Sequence, residues 1–248
     1  MEELILAKPY RGVFFDLGGT LFGYEGIGRS SMAVITEAAQ RLNLDLSPRE
    51  VGLAYRDASR AANARITQRD YYLHSELFED TFAEFAHRVE REVDDELMQW
   101  FKDAQRNALL DSMELRSDCL DTLEELKSRG LYLSIVSNID DDYLVPLVER
   151  SGLDSVLDHW TSSEEAQSCK PHARFFEVAL EKAGFSADEV LFVGDSPEHD
   201  IDGAKAVGMR AVLIREADVT PPLQTGRKTL PPDHEIERLS ELKDLVAS

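Results

Sequence analysis

Four short apolar runs, each breaking off into polar residues, constrain this chain more than any other feature. Val13-Phe14-Phe15 stops at Asp16, and Leu131 to Val136 stops at Ser137-Asn138. Val190 to Val193 stops at Gly194-Asp195, and Ala211 to Ile214 stops at Arg215. Runs this short and this rich in Val, Ile and Phe read as strands buried on both faces. Helical patterns separate them. Asp118 to Arg129 places Leu120, Leu123 and Leu126 three apart and ends at Gly130, a helix stop. Tyr143 to Arg150 and Pro171 to Ala183 read the same way, with Pro171 in a first helical turn and Gly184 as a C-terminal cap. Strands alternating with helices predict an α/β protein with a parallel sheet. His159-Trp160-Thr161 offers a further strand, Glu235-Ile236 a last short one, and Leu239 to Val246 a closing helix.

Residues 25–112 break the alternation. Ser30–Leu42, Ser47–Asn63, Tyr71–Val89 and Asp94–Leu110 read as successive helices. Ser47-Pro48-Arg49-Glu50 combines an N-cap Ser, a Pro at the first helical position and a Glu at the third. The expected organisation is an α/β core from residues 1–24 and 113–248, interrupted by a helical insertion over 25–112. Thr220-Pro221-Pro222 to Pro231-Pro232 reads as a Pro-rich surface loop.

Charge narrows the function classes. Asp and Glu number 48 and Lys and Arg 27, a net charge of −21. Sequence-blind nucleic-acid binding needs a basic footprint, and an anionic membrane repels such a surface, so neither partner is expected. Only 8 of the 27 basic residues are Lys, a balance also met in salt-adapted proteins. No run approaches the roughly 18–20 apolar residues of a membrane span. Met1 to Lys8 carries acid where a secretory signal carries basic charge, so the expected location is cytoplasmic. Cys119 and Cys169 form no disulfide framework and read as buried thiols.

In an open parallel sheet, ligands sit at the carboxyl ends of the strands. There the chain places Asp16, Ser137, Asn138, Asp195 and, shortly after, Asp200, with Lys170 on a neighbouring loop. Singly, each has a plain role: a turn with Gly18-Gly19, a helix start, a solvated lysine, an N-cap. Together they suit phosphoryl transfer. A carboxylate attacks phosphorus to form an acyl phosphate, and positioned cations stabilise the spread negative charge. Asp16 and Asp195 can hold Mg²⁺ through hard oxygen donors. Lys170 adds a point charge, and Ser137 with the Asn138 backbone amide adds donors. Asp200 can orient Lys170 or support a metal ligand.

Phe14-Phe15-Asp16-Leu17-Gly18-Gly19-Thr20-Leu21 resembles the first motif of the haloacid dehalogenase-like hydrolases. Ile135-Val136-Ser137-Asn138 is similar to the second, Lys170-Pro171 to the third, and Gly194-Asp195-Ser196-Pro197-Glu198-His199-Asp200-Ile201-Asp202-Gly203-Ala204 to the fourth. The resemblance spans essentially the whole chain. It implies a Rossmann-like core with an inserted helical-bundle cap, of the phosphoglycolate-phosphatase-like branch. It also implies Mg²⁺-dependent hydrolysis of a small phosphorylated metabolite through an aspartyl phosphate. Asp16 is then the nucleophile, assisted by Ser137 and Lys170, with Thr20 and Asn138 at the substrate. Asp16, the Gly18 carbonyl, Asp195 and Asp200 are the implied metal set.

One position departs from that pattern. Family phosphatases place an Asp general acid–base two residues after the nucleophile; here Gly18 stands there. Such help is typically worth about 10²–10⁴ in rate. The substrate then carries a good leaving group, or another residue such as Tyr24, Glu25 or His74 supplies the proton, or the protein binds phosphate without turnover. A Schiff-base route needs a cap lysine, and none lies between Thr20 and Phe101. A dehalogenase needs no acidic fourth motif, whereas Asp195 is present. A receiver domain needs only about 120 residues and no insertion. In the insertion, Arg56 and Arg60 share a helix face by their spacing and, with Tyr55 and Tyr71-Tyr72, suit an anionic or planar leaving group. Trp100 and Phe78, Phe82 and Phe85 read as core of the insertion. The expected state is a monomer or homodimer.

Overall fold

The computed structural model describes residues 10–66, 68–216 and 219–246. They divide into two compact units. The first takes the chain through Gly23, Leu115–Asn138, and everything from Val148. The second takes Tyr24–Glu114 together with Ile139–Leu147. In chain order the helices are α1 (Ile27–Arg41), α2 (Pro48–Ile66), α3 (His74–Arg88), α4 (Asp95–Ser112), α5 (Cys119–Ser128), α6 (Asp141–Ser151), α7 (Ser163–Ala166), α8 (Ala173–Ala183), α9 (Asp202–Ala206) and α10 (Leu242–Leu245).

The first unit is built on six parallel strands. These are β1 (Gly12–Phe15), β2 (Tyr132–Ser137), β3 (His159–Ser162), β4 (Val190–Gly194), β5 (Arg210–Ile214) and β6 (His234–Ile236). Their order is β3-β2-β1-β4-β5-β6, a Rossmann-like arrangement. The chain leaves the central β1 and returns on both sides of it, which creates the crevice at the strands' carboxyl ends. Register fixes what meets there. Phe15 lies opposite Ile135 on β2 and Val193 on β4. Asp16, Ser137 and Gly194-Asp195 therefore leave the sheet side by side. All four strands read as apolar runs are wholly or almost wholly buried, as strands covered on both faces must be. Phe14 and Phe192 pack with Phe175 and Phe176 from α8. His159–Ser162 and His234–Ile236 are strands as the sequence suggested. The closing segment splits into a 3₁₀ turn over Leu239–Glu241 and the short α10.

Pro171 is a correction. The sequence put it in the first turn of a helix, but α8 begins at Ala173 with His172 as N-cap, and the Lys170–Pro171 bond is cis. The Asn138 side chain takes both backbone groups of Lys170, donating from Nδ2 to its carbonyl at 3.1 Å and accepting its N–H at 2.7 Å. A peptide held that way has no hydrogen bonds left for a helix.

In the second unit α2 packs on α3 and α1 on α4. The core is Ile35, Ala38, Val51, Ala58, Phe82, Phe85 and Phe101, all buried. Phe82 stacks on Phe101 with centroids 4.0 Å apart. The Ser47–Glu50 capping box is present, with Glu50 accepting from the Ser47 N–H at 2.8 Å and from its hydroxyl at 2.6 Å. Helix α3 starts three residues later than the pattern suggests. The buried Asp140 carboxylate accepts the His74 and Ser75 amides at 2.6 and 2.9 Å, which satisfies two of the orphan donors of a helix start there.

Two substitutions test this packing. Phe82→Ala should cost about 3–5 kcal/mol by leaving a cavity under a stacked ring, read as a lowered urea midpoint. A Cβ on Gly203 would stand 2.4 Å from the buried Phe176 ring and 3.1 Å from the Pro171 backbone. Gly203→Ala should therefore cost about 1–3 kcal/mol by overpacking, despite adding a better helix former.

Candidate active site

The site belongs wholly to the first unit and grows out of the β1, β2 and β4 ends. The Asp16 N–H donates to the Val193 carbonyl at 2.9 Å, so the sheet ladder sets the backbone of this residue. The chain then turns at once. The Gly19 N–H bonds the Phe22 carbonyl at 2.7 Å, and Gly19 takes φ +78°, a left-handed conformation that suits glycine. Arg116 braces this turn. One guanidinium nitrogen donates to the Gly19 carbonyl at 2.7 Å and to Glu216 at 3.0 Å, and the Arg116 amide donates to the Leu21 carbonyl at 2.9 Å.

Four of the expected residues share one contact network. Ser137 Oγ donates to Asp16 Oδ1 at 2.8 Å. Lys170 Nζ donates to Asp16 Oδ1 at 2.5 Å and to Asp200 Oδ1 at 2.6 Å. Asp16, Ser137, Lys170 and Asp200 are each less than a tenth exposed. Burial opposes the Lys170 charge, but the two carboxylates outweigh it and hold its pKa above the ordinary lysine value. Burial pushes Asp200 up to about 6; the like charge of Asp16 adds to this, and Lys170 pulls the other way. Asp200 Oδ2 also accepts the Ser196 amide at 2.9 Å. The Asp200 carboxyl packs directly on Gly194, where a Cβ would lie 2.3 Å from its carboxyl carbon.

Asp16, Asp195 and Asp200 each offer an oxygen within 4.8 Å of the others. Three carboxylates this close together form an all-oxygen donor set of the kind hard divalent cations take. The residues present fit a magnesium ion.

The remaining candidates make other contacts. Thr20 is wholly enclosed, and its hydroxyl has no hydrogen-bond partner among the described residues. Asn138 spends both ends of its side-chain amide on the Lys170 backbone, so it sets the position of the lysine. Arg56 and Arg60 lie on α2 of the second unit with side chains 57% and 70% exposed, at 3.9 and 3.5 Å from Asp57. Tyr55 is occupied in that unit's core, its ring edge on Phe85 at 5.7 Å between centroids. Tyr72 is buried. His74 begins α3 in the second unit.

Sequence reasoning assigned no role to Ser196, Glu198 or His199, which the structure works into the floor of the site. Pro197–Ile201 forms a π-helical turn, a rare element frequent at functional sites. Ser196 Oγ accepts the His199 N–H at 3.0 Å and meets His199 Nδ1 at 3.1 Å. Burial and the Lys170 charge push the His199 imidazole down to about 4. Burial alone would raise the Glu198 pKa, but hydrogen bonds from Thr225 and Gly226, with the Arg227 charge, bring it below the usual carboxylate value. The only sequence signal for Glu198 was its place inside the fourth motif.

Comparison with known proteins agrees with this geometry. A family profile of haloacid dehalogenase-like hydrolases matches residues 10–208. A ribulose-1,5-bisphosphate 5-phosphatase of Halopiger xanaduensis is 31% identical over 242 residues, covering 95% of this chain and 98% of that protein. An (S)-2-haloacid dehalogenase 4A of Burkholderia cepacia is 35% identical over 130 residues, about half of each chain. The HAD-hydrolase YfnB of Bacillus subtilis, solved bound to magnesium, shares the fold with a TM-score of 0.73 at 21% identity, covering 97% of this chain and all of that one. With the motif residues gathered at the sheet edge and the profile spanning most of its length, this chain belongs to the haloacid dehalogenase-like hydrolase family.

Proposed function

We propose that this hydrolase is a magnesium-dependent phosphatase acting on a small phosphorylated metabolite, with Asp16 as its nucleophile. One observation carries the reading: Asp16, Asp195 and Asp200 offer oxygens within 4.8 Å of one another, and Lys170 bonds two of the three. Displacement of a halide from carbon needs one carboxylate. A transferring phosphoryl group, with charge on three equatorial oxygens, needs cations on several sides. Asp16, Asp195 and Asp200, with the Gly18 carbonyl, would hold the ion, which supplies charge neutralisation at the phosphoryl oxygens. Three relatives support the same class. Besides the ribulose-1,5-bisphosphate 5-phosphatase, they include a glyceraldehyde 3-phosphate phosphatase of Methanocaldococcus jannaschii, 34% identical over 128 residues. The third is a phosphoglycolate phosphatase of Shigella sonnei, 29% identical over 83% of this chain. Sugar phosphates are therefore the substrates to assay first.

In this reading an Asp16 oxygen attacks phosphorus as the ester P–O bond breaks, and the bonding pair leaves with the alcohol oxygen. Lys170 shifts part of its attention from Asp16 to the incoming phosphoryl oxygens. Ser137 keeps the other contact of the carboxylate and orients it. Water then attacks the acyl phosphate, frees Asp16 and releases inorganic phosphate. Position 18 offers no carboxyl to protonate the leaving oxygen, so that proton comes from solvent, from the substrate, or from another residue such as Tyr24, Glu25 or His74. Substrates whose leaving groups are stable as anions are favoured.

A second reading, halide displacement from a 2-haloacid, is supported by the dehalogenase relatives and by Gly18, because an expelled halide needs no proton. A third is phosphate binding without turnover. Three measurements separate them. Asp16→Asn should abolish turnover of an aryl or acyl phosphate, and a variant that still turns over removes Asp16 from its role. A chelator should silence the phosphatase and Mg²⁺ restore it, whereas metal-independent 2-haloacid hydrolysis identifies a dehalogenase. Gly18→Asp should raise turnover of an alkyl phosphate by about 10²–10⁴. Activity seen only in that variant identifies the wild type as a binding protein.

A further inference from the structure

The connection from β5 to β6 runs from Arg215 to Asp233 without regular structure among its described residues. Loops longer than about 12–15 residues are uncommon and usually functional. Here the stretch Gln224–Leu230 is tied along the fourth motif. Gln224 Nε2 donates to Ser196 Oγ at 2.8 Å. The Thr225 N–H, the Thr225 hydroxyl and the Gly226 N–H all donate to the Glu198 carboxylate, at 2.8, 2.6 and 2.6 Å. Arg227 donates to the Glu198 carbonyl at 3.0 Å and pairs with Asp202 at 2.5 Å. The Leu230 N–H donates to Asp202 Oδ1 at 2.7 Å. Thr225, Gly226 and Arg227 are exposed, whereas Glu198 is 4% exposed.

Glu198 stands between Asp195 and Asp200 inside the π-helical turn, three residues after one and two before the other. A buried carboxylate needs compensating partners, and the strap supplies them at this turn. The turn in turn presents the Ser196 amide to Asp200 Oδ2. The turn that directly follows Asp195 and carries Asp200 is thus anchored by one glutamate to an outside loop. Outer partners of metal ligands typically matter by 10–100-fold in metal affinity.

We infer that Glu198 is a positioning residue for the divalent-ion site, and that it acts through the Thr225–Arg227 strap to fix Asp195 and Asp200. The inference rests on the metal reading given above. It is tested on the full-length protein with Mn²⁺ alone as probe, following free Mn²⁺ by electron paramagnetic resonance, and with urea unfolding alongside. In wild type, Mn²⁺ binding should be lost in Asp195→Asn. Glu198→Ala should weaken Mn²⁺ binding by at least about tenfold. Glu198→Gln should bind nearly as wild type, because its amide oxygen still accepts the two backbone N–H groups and its NH₂ meets the Thr225 hydroxyl. Thr225→Val combined with Arg227→Met changes exposed residues only and should weaken Mn²⁺ binding without lowering the urea midpoint by more than about 0.5–1 kcal/mol; this pair decides the matter if Glu198→Ala does not fold. Wild-type Mn²⁺ affinity in folded Glu198→Ala, or in the strap pair, overturns the inference and leaves the metal reading standing. Absence of Asp195-dependent Mn²⁺ binding in wild type overturns the metal reading, and the inference with it.

Discussion

A buried ammonium group shared by two buried carboxylates is the constraint around which the first unit is organised. Lys170 Nζ touches both Asp16 and Asp200, and none of the three has much water to fall back on. Charges in such surroundings are tolerated only when paired and fully hydrogen-bonded. The neighbouring structure meets that demand piece by piece. Ser137 binds Asp16, the Ser196 amide binds Asp200, and Asn138 fixes the peptide from which Lys170 extends. The parallel sheet brings the contributing loops together, since register places the ends of β1, β2 and β4 at one edge.

Much of this was legible in the sequence because it depends on local pattern. Buried strands announce themselves as short apolar runs, and a polar residue where such a run stops marks the edge where ligands bind. Asp16 and Ser137 were found by that rule, with Asp200 shortly beyond a strand end and Lys170 on a neighbouring loop, and the structure joins them. What stayed hidden depends on contacts between residues distant in sequence. The sequence pointed to the Asn138 backbone amide as a donor, and nothing local shows that its side chain spans to residue 170. The start of α3 was misplaced because its cap, Asp140, lies more than sixty residues away. Gln224–Arg227 carried no mark beyond proline-rich composition, which signals a loop and says nothing of what it binds.

The second unit follows a different logic. Its core is aromatic and aliphatic, with Phe82, Phe85 and Phe101 stacked at its centre, and its charged residues are mostly exposed. Among them Arg65 pairs with Asp80 and Glu84 between α2 and α3, the kind of surface contact that salt weakens. A core of this sort tolerates change on its outer faces. The cluster at Lys170 does not, because removing that ammonium leaves Asp16 and Asp200 buried without the charge that pairs them.

The amide of Asn138 has a consequence for how the nucleophile is met. Beyond their last ladder bonds, loops ordinarily flex, and a long lysine side chain flexes with them. Here a side chain stands in for the missing ladder, so the root of Lys170 inherits the stiffness of β2. Dipoles and charges already fixed in place need little reorganisation when charge moves from substrate to protein. The short reach of Asn138 thus converts a loop lysine into a permanent feature of the site's electric field.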